Sequence, residues 1–152
     1  MALIISLGSN LGDRRENLEE AKRLLSLRWK LIAESRLYES AAVDYEQQPD
    51  FINQTLQFAL PWETPQSALA FALDVEKSLG RERIIHRGPR TIDIDILFWG
   101  LEVLRTPSLI IPHERWHERS FVVRPLSELP FFHAIEKCFT IPKAFTTDAR
   151  PY

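Results

Sequence analysis

The stretch Thr91-Ile92-Asp93-Ile94-Asp95-Ile96-Leu97-Phe98-Trp99 alternates isoleucine with aspartate and then turns wholly apolar. Side chains along a strand point alternately to opposite faces, so Ile92, Ile94 and Ile96 share one face and Asp93 and Asp95 the other. Upstream, Thr64 and Pro65 form a helix start, with a capping hydroxyl followed by proline at the first helical position. Ala68, Phe71, Ala72, Val75 and Leu79 then recur at helical spacing until Gly80 stops the helix. Before that, Ile52, Leu56, Phe58 and Leu60 alternate with Asn53, Thr55 and Gln57, which predicts a half-buried strand with a polar face. A strand over about Lys30 to Glu39 is interrupted at Ser35, and residues 40–50 form a polar loop. Outermost, Ala2 to Leu7 is a buried strand breaking into a turn at Gly8-Ser9-Asn10. Asp13 and Glu16 have capping-box spacing ahead of Leu18, Ala21, Leu24 and Leu25.

The order strand, helix, strand, strand, helix, strand is that of an α+β ferredoxin-like sandwich, a mainly antiparallel sheet with helices packed on it. Beyond it, Gly100-Leu101-Glu102 predicts a turn and Glu102 to Leu104 a short strand. A helix from about Ser120 to Leu129 must tolerate Pro125. From Ile141 onward packing signals are few.

A chain of 152 residues suits one domain with a real core. Its 45% hydrophobic and 26% charged content is globular rather than disordered. The net charge of -2 supplies no global field for nucleic acid or an anionic membrane, so an anionic substrate needs clustered arginines. Cys138 is the only cysteine, which excludes an internal disulfide and a multi-cysteine metal site. The N-terminal apolar run is too short for a signal segment, and no apolar run reaches the ~20 residues of a membrane helix. A cytoplasmic chain is expected.

The chemistry concentrates around the Asp93 and Asp95 face. Two carboxylates about 7 Å apart along a strand repel one another unless cations attend them, and hard oxygen ligands suit magnesium. A solvent face carrying two aspartates by chance is the plainer alternative, but Asp is disfavoured in strands. Arg81, Arg83, Arg87 and Arg90 lie just upstream, and arginine grips phosphate oxygens bidentately. No Gly-rich phosphate cradle is present, so phosphate binding must rest on side chains and metal. His113 and His117 lack a convincing third zinc ligand; His113 and Arg119 serve better as cationic donors to phosphate.

Together these motifs resemble the 6-hydroxymethyl-7,8-dihydropterin pyrophosphokinase family of folate biosynthesis. The resemblance rests on Ile5 to Asp13, Tyr38-Glu39-Ser40, Asp50 to Asn53, Leu79-Gly80-Arg81, Gly88 to Leu97, Ile111-Pro112-His113, Arg119-Ser120-Phe121 and Pro125-Leu126, in the family's order. It covers about residues 2–130 and implies a single pyrophosphokinase domain over 1–152, with a short extension after the core. The resemblance implies that ATP gives its β,γ-pyrophosphoryl group to the pterin hydroxymethyl oxygen, leaving AMP. It assigns two magnesium ions to Asp93 and Asp95. ATP falls to Glu76, Arg81, Arg83, Arg90, His113 and Arg119, with Arg81, Arg90 and both aspartates catalytic. The pterin falls to Ser40, Ala41, Val43, Phe51, Asn53 and Phe121. Asp95 is also a candidate base, directly or through its metal.

Small-molecule substrates and a monomer are therefore expected, with no nucleic-acid or membrane partner. The chain departs from the family pattern at Arg87, where an aromatic often stands, at Ala41-Ala42 for prolines, at Phe51 for tyrosine, and in a basic loop about one residue short. Two competing readings remain on the residues alone. One is a noncatalytic ferredoxin-like nucleotide- or RNA-binding module that stacks bases on Phe51 and Phe121. The other is a metal-dependent phosphodiesterase using the same two aspartates.

Overall fold

The computed structural model describes residues 1–42, 47–80, 91–145 and 149–152. Strand β1 (Ala2–Ser9) leads into helix α1 (Arg14–Ser26), whose Asp13 cap accepts a 3.1 Å hydrogen bond from the Glu16 N–H. β2 (Leu31–Glu34), β3 (Tyr38–Ser40) and β4 (Phe51–Ala59) follow, then α2 (Pro65–Ser78) and β5 (Asp93–Trp99). In α2, Thr64 accepts from the Ser67 N–H at 3.1 Å, satisfying one of the free donors of the first turn.

The principal sheet runs β5-β1-β4-β3, with β2 also paired to β4. β1 lies antiparallel to both β4 and β5, the connectivity of a ferredoxin-like sheet. The strand expected over Lys30 to Glu39 is divided at Ser35. There the Thr55 N–H donates to the Ser35 hydroxyl at 3.0 Å, and the Ser35 N–H donates to the Thr55 carbonyl. A side-chain oxygen thus takes a place in the ladder, and one strand becomes two.

One face of the sheet carries Leu3, Ile5, Leu7, Ile52, Leu56, Phe58, Ile92, Ile94 and Ile96 against α1 and α2. The other carries Ala2, Ile4 and Phe98 against α3 (Ser120–Leu126) and the neighbouring α4 (Phe132–Cys138). This second layer corrects the half-buried reading of β4. Asn53, Thr55 and Gln57 are only 4%, 0% and 8% exposed, because α3 and the segment after it cover them. Gln57 accepts a 3.0 Å hydrogen bond from the Phe131 N–H, so its polar end caps a backbone donor beneath that cover.

The later segments also differ from expectation. β6 (Leu104–Arg105) pairs with β7 (Ile110–Ile111), a little beyond the strand expected at Glu102 to Leu104. α3 ends at Leu126, shorter than the expected helix to Leu129, and retains Pro125 in its last turn. α4 had no strong periodic signal. Its anchors are the fully buried Ile135 and the aromatic Phe139, whose ring centre lies 5.7 Å from that of Phe98. Among the described residues, no helix is long and apolar enough to cross a membrane.

Candidate active site

The registers of β1 with its two neighbours bring the chemistry onto one sheet face. Gly8 lies opposite both Asp93 of β5 and Asn53 of β4, and Ser6 lies opposite both Asp95 and Thr55. Since directly opposed residues share a face, Asp93, Gly8 and Asn53 form one cross-sheet row and Asp95, Ser6 and Thr55 the next. Asp93 and Asp95 are half-buried, while Ile94 between them is buried on the opposite face. The common face inferred for the two acids is realised.

Glu76 of α2 is 3% exposed, and its Oε2 accepts from the Ile94 N–H at 2.7 Å. β5 is a sheet edge, so this carboxylate occupies a backbone donor between the two aspartates and fixes the strand that carries them. This contact with the protein's own backbone was invisible in the sequence, which pointed Glu76 toward nucleotide.

His113 arrives from the other side. Its N–H donates to the Leu97 carbonyl at 3.0 Å, which anchors it beside β5. Burial pushes its pKa down, assisted by the nearby Arg119 charge and opposed by Asp93 and Glu114. The Arg115 N–H donates to His113 Nδ1 at 3.3 Å, so the neutral ring carries its proton on Nε2. Arg119 and Asp93 therefore both sit within electrostatic range of His113, whereas His117 is exposed. Among the described residues, no three His, Cys, Asp or Glu side chains gather as a metal cage.

At the far end of the rows, Ser40 and Asn53 are buried, and the Asn53 amide donates to the Ser40 hydroxyl at 2.9 Å. Phe51 is 9% exposed at the start of β4, and Ala41 is exposed beside it. Phe121 packs at the margin of the α3 cluster, with the Arg119 guanidinium 5.5 Å from its ring centre. That cation–π contact joins an expected phosphate ligand to an expected pterin-stacking ring. The structure thus brings together Asp93, Asp95, His113 and Arg119, and separately Ser40, Phe51 and Asn53, with Phe121 beside Arg119. Val43, Arg81, Arg83 and Arg90 lie outside the described residues, as does Arg87.

Gly8 escaped sequence reasoning, which placed it in a turn. It lies inside β1, and a Cβ there would stand 3.2 Å from Asn53 Oδ1 and 3.4 Å from the Phe51 ring. Its missing side chain leaves those two groups their positions. A glycine directly at the end of the apolar run was the available signal.

The family model for 7,8-dihydro-6-hydroxymethylpterin-pyrophosphokinase matches residues 4–130. The chain is 47% identical over 127 residues to the bifunctional protein FolKE of Lactococcus lactis subsp. cremoris, covering 82% of this chain and 36% of that one. It is 39% identical over 127 residues to the 2-amino-4-hydroxy-6-hydroxymethyldihydropteridine pyrophosphokinase of Bacillus subtilis, covering 82% of this chain and 75% of that one. The chain spans only 36% and 40% of the two Lactococcus relatives it matches. A crystal structure of an HPPK-DHPS protein in complex with substrates superposes with a TM-score of 0.62 at 15% identity, over 84% of this chain and 40% of that one. At that identity the likeness concerns the fold, and it agrees with the ferredoxin-like architecture.

Proposed function

This chain belongs to the 7,8-dihydro-6-hydroxymethylpterin-pyrophosphokinase family, and on that premise we propose that it pyrophosphorylates 6-hydroxymethyl-7,8-dihydropterin at the expense of ATP. The hydroxymethyl oxygen attacks the β-phosphorus, the bond from that phosphorus to the α,β-bridging oxygen breaks, and AMP leaves. The hydroxyl proton passes to a base or to solvent. The observation that carries this reading is the paired-acid face of β5 with His113 and Arg119 beside it. Membership in the family favours this activity over a noncatalytic module or a phosphodiesterase.

The donor set fits magnesium. Two half-buried carboxylates on one strand face offer hard oxygen ligands and leave coordination positions for water and phosphate oxygens, as magnesium requires. Asp93 and Asp95 would hold it, and the bound ions, two by family resemblance, would neutralise charge on the phosphates. His113, with Nδ1 occupied by a backbone donor, keeps its Nε2–H available and would donate it to a phosphate oxygen. Arg119 adds fixed positive charge, and Arg81, Arg83 and Arg90 complete the triphosphate ligands on this reading. Glu76 holds the strand between the aspartates in register.

Ser40, Ala41, Val43, Phe51, Asn53 and Phe121 form the proposed pterin site. Its defining interactions are ring stacking and the Asn53 amide, with Gly8 providing space between Asn53 and Phe51. The Arg119–Phe121 contact lets the two substrate sites meet where the acceptor oxygen must face the β-phosphorus. We read residues 1–152 as one such domain, acting as a cytoplasmic monomer on small molecules. The test is product analysis with ATP and magnesium. AMP forming only when the hydroxymethyl pterin is added supports the activity; acceptor-independent hydrolysis or no turnover refutes it.

A further inference from the structure

Residues 149–152 lie outside the stretch matched by the family model, and the sequence offered few packing signals there. They nevertheless return to the acceptor end of the sheet. Arg150 and Pro151 form a strand, β8, that pairs antiparallel with Glu39 and Tyr38 on the outer side of β3. Ala149 is 5% exposed and its N–H donates at 2.7 Å to the hydroxyl of Ser120, which lies between Arg119 and Phe121. The Tyr152 N–H donates to the Leu37 carbonyl at 2.9 Å.

Side chains continue the connection. The Arg150 guanidinium lies 2.9 Å from Glu39 Oε1 and 3.4 Å from Asp50 Oδ2. From α1, Arg14 donates to Glu39 Oε2 at 3.0 Å and to the Asp50 carbonyl at 2.9 Å. Glu39 immediately precedes Ser40, and Asp50 immediately precedes Phe51. Four consecutive residues therefore touch each chain segment that bears a described pterin-site residue: the end of β3, the entry to β4, and the start of α3. Asp93 and Asp95 stand on β5, at the opposite edge of the sheet.

We propose that residues 149–152 are a clasp that positions the acceptor site, with Arg150 and Ser120 as positioning residues that set the separation between the Ser40–Phe51 side and Phe121. The inference rests on the pterin reading given above. It makes the Arg150 contacts act on acceptor affinity and spare ATP affinity, because they end at Glu39 and Asp50, beside the acceptor residues Ser40 and Phe51. A segment that merely covered a sheet edge would alter stability and leave both substrate affinities alone.

The test measures acceptor-dependent AMP release with each substrate varied, together with melting temperature, for Arg150→Ala, Arg150→Lys and a chain stopped after residue 148. Arg150→Ala is expected to raise the acceptor KM about threefold and Arg150→Lys to restore most of it, in line with an exposed ion-pair network. The shortened chain is expected to raise it about tenfold, having lost the backbone contacts as well, while in Arg150→Ala the KM for ATP stays within about twofold. Raising salt to about 0.5 M should weaken acceptor binding in the unaltered protein and have less effect on Arg150→Ala. An unchanged acceptor KM in folded Arg150→Ala and in the folded shortened chain overturns the clasp, as do equal rises in both KM values of Arg150→Ala. If the unaltered chain itself gives no acceptor-dependent AMP, the pterin reading fails first, an outcome separable from failure of the clasp.

Discussion

Asp93 and Asp95 owe their common face to the two-residue period of a strand, and no loop geometry had to be guessed to see it. Replacing either with alanine is expected to abolish AMP formation while the circular dichroism spectrum stays native; normal turnover in either variant removes the magnesium site. Gly8 and Glu76 act through neighbours. Gly8→Ala places a methyl 3.2 Å from Asn53 Oδ1, so the amide or the Phe51 ring must shift, and the acceptor KM is expected to rise several-fold in steady-state assays. Glu76→Ala strands the buried Ile94 N–H and is expected to cost about 1–3 kcal/mol in denaturant unfolding. His113 makes a pH prediction for the metal-free protein. Its pKa is pushed below the ordinary 6.5, so as pH falls through that range the unfolded chain takes up the proton before the folded one. The His113 contribution to stability therefore declines on acidification, and His113→Gln should flatten that part of the stability profile in urea titrations across pH 5 to 7, a window of about two units around the imidazole range.

Among the elements, β3 and the segment just after α3 are joined by a cluster that the sequence did not announce. Tyr38 donates a short hydrogen bond to Glu128, and the Arg36 N–H donates to the same carboxylate at 2.9 Å. Burial works to raise the Glu128 pKa, but the Arg36 and Tyr38 donors outweigh it and hold the group below its ordinary 4.5. That stabilisation is present above the ordinary carboxyl range and is lost as pH falls through the depressed value. Glu128→Gln is expected to lower stability by about 1–2 kcal/mol at neutral pH and to lessen the loss on acidification, measured by thermal unfolding. Legibility divided along the same line. Caps at Asp13 and Thr64 and the apolar period of α2 were local signals and could be read directly. The interruption at Ser35 was legible, but its cause, a hydroxyl reaching Thr55 across the sheet, was not, and α4 depends on aromatic rings meeting Phe98. Such partners are distant in sequence and leave no periodic trace.

At the scale of the whole molecule, the sheet order sets β1 between β5, which carries the proposed donor acids, and β4 and β3, which carry the proposed acceptor residues, while the Arg119–Phe121 pair lies in the layer packed on the sheet. The sequence carried the order of the strands and the acid face, but the two-sided burial of β4 and the return of residues 149–152 required the folded chain. The residues expected to bind pterin and triphosphate could be named from motifs; their supports, Gly8, the Glu76–Ile94 bond and Ser120, came only from register and packing. The most direct measurement is a phosphorus NMR time course of the unaltered chain with ATP, magnesium and the hydroxymethyl pterin. A diphosphate ester of the pterin rising one-for-one with AMP is the predicted result. Release of free orthophosphate or pyrophosphate without that ester, or AMP appearing in the absence of the pterin, would contradict it.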